Sequence, residues 1–297
     1  MEKNDIGGHM IQDILPHKLI NSYDPQKRHT DGSLAIVFTE EGLLIKSTPE
    51  ADGSSRKLFP RFEDLPAQNK VLKTTYLFTV DEDEFYLIDN SDGCFIKPEG
   101  YEYTKIRAIR GLEDVSHKGK FEAFTAKQLH AWYTNNRFCG RCATPTKKSD
   151  TERALVCPSC GNTIYPRVVP AVIVGVLDKE NEKIILTKYN GRVTTNYALV
   201  AGFTEIGETF EETVAREVKE EVGLKVKNIT YYKSQPWGVA DDILAGFFCE
   251  VDGDRTITRD PDELSLAEWM SRDEVVLQPD DLSLTNEMMR LFKEGKI

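Results

Sequence analysis

The chain has 297 residues, a length that predicts about two domains. Its formal net charge of −11 argues against broad electrostatic binding to nucleic acid or anionic membranes, because such binding needs an excess of lysine and arginine. No apolar run has the length of a membrane span and no signal-peptide pattern opens the chain, so we expect a cytoplasmic protein without membrane contact.

The first part of the chain predicts a β-rich domain. Residues 1–11 are polar and glycine-containing, and we expect a flexible extension there. Between residues 12 and 120, short apolar runs such as SLAIVF, GLLIKS, TTYLFTV and EFYLID alternate with polar turns, as in consecutive strands. The polar stretch 48–68 is expected to loop out. No chemical motif occurs in this region.

A connecting helix is predicted over residues 121–138. Its large apolar side chains recur with helical spacing, and asparagines follow them. These side chains are Phe121, Phe124, Leu129 and Trp132.

Residues 167–297 predict a second, α/β domain. The run VVPAVIVGVL is typical of a strand buried on both faces, and KIILTKY, YALVAGF, NITYYKSQPW and ILAGFFCEV are expected to be further strands. The segment SLTNEMMRLFKEGK is expected to be a closing helix with Ser283 or Thr285 as its N-cap.

Four cysteines between these regions have the spacing of a metal site. Two Cys-x-x-Cys pairs are separated by fourteen residues. Four thiolates at this spacing can close a tetrahedron around one zinc ion and leave no position for water, so residues 139–166 predict a structural zinc ribbon with one Zn²⁺ per chain. The alternative is fortuitously spaced thiols. The cysteines are Cys139, Cys142, Cys157 and Cys160.

The role of this ribbon has two interpretations. Zinc ribbons can contact nucleic acid, but the residues between the pairs mix Lys147, Lys148 and Arg153 with acidic side chains. A scaffold that fixes the neighbouring domains explains the module equally well.

The segment GETFEETVAREVKEEVGL predicts a glutamate-rich helix. Thr209 and Glu212 form a capping-box pattern, and Gly223 ends the helix. Val214, Val218 and Val222 form the expected buried stripe. The glutamates either form a solvated face or hold divalent cations such as Mg²⁺ or Mn²⁺ at i, i+3 and i+4 positions.

The spacing decides between these interpretations. From Gly202 the chain reads G-x5-E-x7-R-E-V-x-E-E-x-G-L, a complete match to the Nudix box. The chain therefore resembles the Nudix hydrolases, which cleave diphosphates linked to another group. This resemblance implies an α/β/α sandwich for the C-terminal domain.

The resemblance also implies roles for the residues of the box. Those implied to be catalytic are Glu217, Glu220 and Glu221. The implied Mg²⁺ or Mn²⁺ ligands are Glu217, Glu221, the backbone carbonyl of Ala201 and, outside the box, Glu263 in DPDEL. Structural roles are implied for Gly202, Glu208, Arg216 and Gly223, with Arg216 pairing with Glu208 to brace the loop.

Two further features narrow the resemblance. The zinc ribbon directly precedes the box domain, and SQPW follows the box at residues 234–237. Together they resemble the bacterial NADH pyrophosphatase group, which also removes NAD caps from RNA. This implies NADH or NAD⁺ as substrate with NAD-capped RNA as a further one, a homodimer, and a degenerate Nudix-like N-terminal domain.

The same resemblance implies the contacts with the dinucleotide. Aromatic rings are expected to stack on a planar base, which needs no particular hydrogen-bonding edge. Ordinary packing is the alternative for Tyr165 and Trp237. The implied substrate-binding residues are Glu152, Tyr165, Phe203, Gln235, Pro236, Trp237, Gly238, Val239, Ala240, Asp241 and Asp242.

The sequence departs from that group after Trp237. The group continues SQPW as PFP-x-S, whereas this chain has GVADD, so we expect a more flexible and acidic turn and retuned dinucleotide recognition. Two alternatives stay open. One is a Nudix hydrolase for another nucleoside diphosphate such as ADP-ribose, and the other is a non-catalytic zinc-ribbon protein that binds RNA or senses a ligand.

Overall fold

The computed structural model describes residues 10–46, 58–191 and 196–297, and the chain divides into two units. The N-terminal unit comprises Ile14–Arg167 and Gly238–Asp241. The C-terminal unit comprises residues 168–237 and 242–297 together with residues 10–13. The domain boundaries predicted at residues 12, 121, 139 and 167 stay predictions.

The N-terminal unit is built from short strands and one long helix. Its sheets run in the orders β1-β5-β6-β2, β3-β4-β7 and β10-β9-β8. The elements are β1 (Leu19–Ile20), β2 (Leu34–Ile36), β3 (Phe38–Thr39), β4 (Gly42–Ile45), β5 (Thr74–Val80), β6 (Asp83–Ile88), β7 (Glu102–Thr104), α1 (Ile106–Ile109), α2 (His117–Asn135), β8 (Lys147–Lys148), β9 (Leu155–Val156) and β10 (Thr163–Ile164). The strands expected in SLAIVF, GLLIKS, TTYLFTV and EFYLID are therefore confirmed.

Two predictions for this unit need correction. The connecting helix begins at His117 because Ser116 caps it by accepting a hydrogen bond from the Gly119 N–H, and it ends at Asn135 instead of 138. Part of the loop expected at 48–68 lies outside the described residues, and the rest contains the 3-10 turn Phe62–Asp64 and the start of Ala67–Val71.

The C-terminal unit is a single six-stranded sheet with a helix on each face. The sheet has the order β14-β15-β11-β12-β16, and β13 pairs with β11. The elements are β11 (Val169–Asp178), β12 (Lys183–Tyr189), β13 (Val200–Phe203), α3 (Phe210–Val222), β14 (Val226–Trp237), β15 (Asp242–Val251), β16 (Leu264–Ser271) and α4 (Leu284–Lys293).

The alternation of side chains along β11 explains the two helical layers. Val172, Val174 and Val176 join a core cluster with the valines of α3. Their neighbours Ala171 and Ile173 point to the other face and join the cluster that contains Met288 and Phe292 of α4. The sheet is therefore buried on both faces, and the predicted α/β/α sandwich is confirmed.

Two details of this sheet were not predicted. The strand expected over YALVAGF begins only at Val200, because Ala198 bridges to Thr187 of β12 before the chain pairs with β11. Strand β16 was missed. It pairs antiparallel with β12, and its residues alternate only weakly between buried and exposed positions.

The prediction of a flexible extension over residues 1–11 is wrong for residues 10 and 11, and residues 1–9 lie outside the described part of the chain. Met10 and Ile11 are each only 2% exposed. The Ile11 N–H donates to the Leu282 carbonyl at 3.0 Å, and Met10 joins the core cluster beside α4. Burial of apolar side chains thus fixes these residues in the C-terminal unit.

Within the part of the chain that the structure describes, no helix is long and apolar enough to cross a membrane.

Candidate active site and zinc site

The glutamate helix α3 is bounded as its sequence predicts. Thr209 is the N-cap, and its hydroxyl accepts from the Glu212 N–H while the Glu212 carboxylate accepts from the Thr209 N–H. Gly223 ends the helix with φ of 77°, a left-handed conformation that favours glycine. The buried stripe is confirmed, since Val214, Val218 and Val222 have no exposed surface.

Arg216 gathers the carboxylates on one side of this helix. Its Nη2 donates to Glu208 Oε2 and to the Phe203 carbonyl, each at 2.9 Å, and its Nε donates to Glu208 Oε1. Its Nη1 donates to Glu217 Oε1 at 2.7 Å and to Glu220 Oε2 at 2.9 Å. These bonds use all five guanidinium N–H groups. The guanidinium holds the pKa of Glu208 down at about 2.

The predicted pairing of Arg216 with Glu208 is thus present. The same guanidinium also fixes two further carboxylates of the box, Glu217 and Glu220. The alternative in which the glutamates form only a solvated face does not hold for Glu217, which is 8% exposed, or for Glu221, which is 1% exposed.

Glu217 lies against the backbone of strand β13. A Cβ atom at Gly202 would stand 2.0 Å from the Glu217 carboxyl, so only glycine permits this approach. Burial raises the pKa of Glu217, and its ion pair with Arg216 opposes that shift.

Glu221 is the most deeply buried carboxylate of the box. The Tyr189 hydroxyl lies 2.9 and 3.1 Å from its two oxygens, 3.4 Å from the Ala201 carbonyl and 3.3 Å from the Leu199 carbonyl. Burial, together with the smaller effect of the neighbouring charges of Glu217 and Glu263, raises the pKa of Glu221 to about 8.

This arrangement fits a cation chemically. Four acceptor oxygens surround the Tyr189 hydroxyl, and the Ala201 N–H is a second donor to Glu221, so acceptors still exceed donors at this point. Carboxylate and carbonyl oxygens are the ligands that Mg²⁺ and Mn²⁺ prefer. Glu221 and the Ala201 carbonyl, two of the predicted metal ligands, are brought together here.

Two other predicted site residues, the catalytic candidate Glu220 and the metal-ligand candidate Glu263, are more exposed. The side chain of Glu220 is 59% exposed, and Glu263 is exposed. Asn190 holds the Glu263 loop, because its N–H donates to the Glu263 carbonyl and its side-chain amide donates to the Pro261 and Asp262 carbonyls. Among the described residues, the box carboxylates do not form a group of three with ligand atoms within 4.8 Å of one another.

The four cysteines of the ribbon do form such a group, with all Sγ atoms within 4.8 Å of one another. The Sγ–Sγ distances are 3.7 Å for Cys139–Cys160, 3.4 Å for Cys142–Cys157 and 3.6 Å for Cys142–Cys160. A tetrahedral zinc site with Zn–S bonds of about 2.3 Å requires sulfurs roughly 3.8 Å apart. The residues therefore fit a structural Zn²⁺.

The two cysteine knuckles have matching backbone geometry. The Ala143 N–H donates to the Cys139 carbonyl at 2.8 Å, and the Gly161 N–H donates to the Cys157 carbonyl at 3.0 Å. The donor residue has φ of 58° at Ala143 and 71° at Gly161. Glycine accommodates this left-handed conformation freely, whereas alanine is strained by it.

Family models match both modules of the chain. The model described as the NUDIX domain covers residues 166–292. Residues 166–292 are a NUDIX domain. The model described as the NADH pyrophosphatase zinc ribbon domain covers residues 134–165, directly before it.

Two curated relatives of the chain share a name. The NAD-capped RNA hydrolase NudC of Salmonella typhi is 38% identical over 152 residues, which are 51% of this chain and 58% of that protein. The NAD-capped RNA hydrolase NudC of Salmonella schwarzengrund is 40% identical over 153 residues, again 51% of this chain and 58% of that protein. The chain thus spans little more than half the length of these relatives.

A solved structure of a NUDIX hydrolase from Nitrosomonas europaea is also similar. It has a TM-score of 0.46 and 18% sequence identity, with 54% of this chain and 92% of that chain covered.

The aromatic residues predicted to contact a base are open to solvent. Tyr165 is 57% exposed and Phe203, at the end of the NUDIX strand β13, is 54% exposed. Neither ring is therefore part of the core, and ordinary packing does not explain Tyr165. Its hydroxyl donates to Glu152 Oε1 at 3.1 Å, which joins two of the predicted substrate contacts.

Gln235 departs from its predicted role. It has no exposed surface. Its side-chain amide donates to the Leu282 carbonyl at 2.9 Å and to Gln12 Oε1 at 3.1 Å, and its carbonyl accepts from the Leu284 N–H at 2.7 Å. In this arrangement Gln235 is not available to a substrate and instead joins strand β14 to the start of α4.

The other predicted substrate contacts in this segment, residues 236–242, differ in their exposure to solvent. Pro236 and Ala240 are exposed, Trp237, Val239 and Asp241 are partly buried, and Gly238 and Asp242 are buried. Trp237 pairs with Asp242 across the β14–β15 hairpin and packs against the core cluster beside α4, so packing accounts for much of its surface.

The turn between these strands is held by contacts with helix α2, whereas its composition predicted a flexible turn. Lys127 Nζ pairs with Asp241 Oδ1 at 3.0 Å and donates to the Val239 carbonyl at 3.2 Å. A Cβ atom at Gly238 would stand 2.6 Å from the Phe124 carbonyl. Helix α2 therefore neutralises the acidic turn and anchors it.

Sequence reasoning missed Tyr189. It stands in the predicted strand KIILTKY as an ordinary apolar-face residue, and no motif marks it. Its contact with Glu221 spans 32 positions of the chain, so only the packed sheet and helix reveal it.

Proposed function

We propose that this chain is a metal-dependent hydrolase of the diphosphate bond in NADH and NAD⁺, and that it also acts on NAD-capped RNA. The observation that carries the proposal is the adjacency of an NADH pyrophosphatase zinc ribbon and a NUDIX domain with a complete box. The names of the curated relatives support the same substrate class.

The proposed reaction adds one water molecule across the P–O–P bridge. The water oxygen forms a bond to one phosphorus, the bond from that phosphorus to the bridging oxygen breaks, and the bridging oxygen leaves with the other phosphate. The two water protons end on the phosphate products or the solvent. NAD⁺ or NADH gives AMP and the oxidised or reduced nicotinamide mononucleotide.

We assign the cation sites to Glu217, Glu221 and the Ala201 carbonyl, with Glu263 as a further ligand. Mg²⁺ or Mn²⁺ held by these residues would supply neutralisation of the diphosphate charge and activation of a water molecule. Arg216 orients Glu217 and Glu220 from the side, and its pairing with Glu208 fixes the loop from Phe203. Glu220 is the exposed carboxylate of the set and is placed to exchange a proton with solvent.

The proposed base contacts are the two exposed rings, Tyr165 and Phe203. A solvent-exposed ring has a free face on which a planar base can stack, a contact worth about 1–3 kcal/mol. Glu152, hydrogen-bonded to Tyr165, is the proposed polar contact. The turn residues 236–242 are further proposed substrate contacts. Gln235 supports that turn from the interior.

The structural zinc of the ribbon has no open coordination position in this proposal. It folds the module that carries Glu152 and Tyr165. A cytoplasmic location and a homodimer are further proposals, and the homodimer rests on the family resemblance.

Product identification by mass spectrometry tests the function. The zinc-loaded protein is incubated with Mg²⁺ or Mn²⁺ and, separately, with NADH, NAD⁺, ADP-ribose and NAD-capped RNA. We expect nicotinamide mononucleotide and AMP from the dinucleotides, and a 5′-monophosphate end from the RNA.

Other outcomes would replace the proposal. Turnover of ADP-ribose with none of NADH or NAD⁺ would assign the chain to another nucleoside diphosphate. Salt-sensitive RNA binding without turnover of any substrate, unchanged by replacing Glu217, would indicate a non-catalytic binding protein.

A further inference from the structure

The Tyr189 hydroxyl lies among the atoms to which the proposed function assigns the cation. It is 2.9 Å from Glu221 Oε1, 3.1 Å from Glu221 Oε2 and 3.4 Å from the Ala201 carbonyl. Both groups are proposed metal ligands, and they come from different elements, helix α3 and strand β13. Tyr189 is the last residue of β12 and thus brings a third element to them.

The position of this hydroxyl is fixed by the backbone on both sides. Strand β12 pairs with β16, and the register shifts at Lys188 and Tyr189, which marks a bulge at the strand end. The following residue, Asn190, is tied by three hydrogen bonds to the loop that carries Glu263. The Tyr189 ring is partly buried against the core cluster that contains Val218 and Val222 of α3.

A phenol hydroxyl has a single hydrogen to donate. It can therefore donate to only one carboxylate oxygen of Glu221, although the second oxygen, at 3.1 Å, and the Ala201 carbonyl, at 3.4 Å, lie close to the same hydroxyl. A hydrogen bond of this kind holds the carboxylate in one rotamer, which lowers the entropic cost of placing its second oxygen on a cation.

We propose that Tyr189 is a positioning residue for the catalytic cation site, which aligns the Glu221 carboxylate and the Ala201 carbonyl as ligands. This inference rests on the proposed function for the presence of the cation. It adds a residue outside the Nudix box, on strand β12, to the set that determines metal affinity.

A second tyrosine of the same unit provides a matched control. The Tyr232 hydroxyl donates to Glu287 Oε1, and Glu287 is 3% exposed on helix α4. Tyr232→Phe and Tyr189→Phe thus each remove one hydroxyl from a buried tyrosine–glutamate hydrogen bond. Only Tyr189→Phe removes a contact with a proposed metal ligand.

Calorimetric titration of Mn²⁺ into the zinc-loaded full chain is the test, with thermal unfolding measured on the same samples. We expect Tyr189→Phe to weaken Mn²⁺ binding by about 10- to 100-fold, the usual effect of losing a partner that orients a metal ligand. Tyr232→Phe should lower the melting temperature and leave the Mn²⁺ affinity unchanged. The zinc content should stay at one ion per chain in all three proteins.

The proposal is overturned if Tyr189→Phe binds Mn²⁺ as the unmodified protein does, or if Tyr232→Phe weakens Mn²⁺ binding equally. It is also overturned if the unmodified protein binds no Mn²⁺ beyond exchange at the cysteines. Turnover of NADH is measured separately. Tight Mn²⁺ binding that depends on Tyr189, without cleavage of any dinucleotide, would refute the proposed function and support the positioning role.

Discussion

Replacing Glu221 by glutamine should make the metal-free protein more stable at pH 8. Glu221 is 1% exposed, and burial raises the pKa of its carboxyl to about 8 from the ordinary 4.5. Between these two values the folded chain holds a proton that the unfolded chain releases. The stabilising effect of that proton is complete below pH 4.5 and is lost as the pH rises through 8.

The size of this effect follows from the shift. Each pKa unit corresponds to about 1.4 kcal/mol, so the free energy of unfolding should fall by roughly 2–4 kcal/mol between pH 5 and pH 8 because of Glu221 alone. Glutamine carries no charge at either pH and can donate its amide hydrogens to the surrounding acceptor oxygens. Glu221→Gln should therefore remove most of this pH dependence.

Divalent cations should offset most of this difference between the two proteins. A cation at one hundred times its dissociation constant stabilises the folded state by about 2.7 kcal/mol. The unmodified protein should gain this amount of stability from Mn²⁺, and Glu221→Gln should gain little. The turnover of Glu221→Gln should fall by more than about 100-fold, because losing a metal ligand costs more than losing a residue that only orients one.

Thermal unfolding of the zinc-loaded proteins at pH 5, 6, 7 and 8, with and without Mn²⁺, measures both effects. The pKa of Glu122 is also raised by burial to about 8, but this group titrates in both proteins and cancels in the comparison. A lower melting temperature for Glu221→Gln than for the unmodified protein at pH 8 without Mn²⁺, or an equal gain from Mn²⁺ in both proteins, would refute the reasoning.

Three further predictions concern the ribbon and the substrate residues. Cys139→Ser should abolish zinc binding and unfold the ribbon, since structural zinc contributes about 10–16 kcal/mol of apparent binding free energy in zinc-finger peptides. Cys94→Ser changes an exposed cysteine outside the cluster and should keep one zinc ion per chain, as measured by elemental analysis. Ala143→Gly should raise the free energy of unfolding by about 0.5–1 kcal/mol in chemical denaturation, because φ of 58° strains alanine; a decrease would contradict this. Gln235→Ala should cost about 1–3 kcal/mol of stability through its lost buried hydrogen bonds, while Tyr165→Ala should raise the KM for NADH without changing the melting temperature, and the reverse pattern would exchange their roles.

Local sequence patterns predicted the elements of the C-terminal unit other than strand β16, because each pattern acts within one element. The capping pair Thr209 and Glu212, the four-residue spacing of the valines and the left-handed Gly223 all depend on contacts within or next to α3. The cysteine pairs are local in the same sense, and their spacing specifies the cluster.

Contacts between distant elements could not be predicted in this way. Tyr189 reaches Glu221 only after β12 and α3 pack on the sheet. Gln235 is polar and stands in a substrate motif, yet Gln12, far along the chain, and the start of α4 take up its amide. Lys127 pairs with Asp241, which lies 114 positions further along the chain. The composition of the turn predicted flexibility, because it does not contain this long-range ion pair.

The charges of the glutamate helix divide into two sets that need different cations. Arg216 is protonated at all ordinary pH values, and its five N–H groups are taken up by three carboxylates and one carbonyl. It therefore has no donor left for Glu221, the most buried member. Tyr189 supplies that carboxylate with a hydrogen bond but no charge, so its ionisation near pH 7 depends on a cation that the protein does not itself contain. The same reasoning makes the proposed action on a diphosphate compatible with a net charge of −11: the fixed cation holds the helix together, and the exchangeable one would bring the substrate to it.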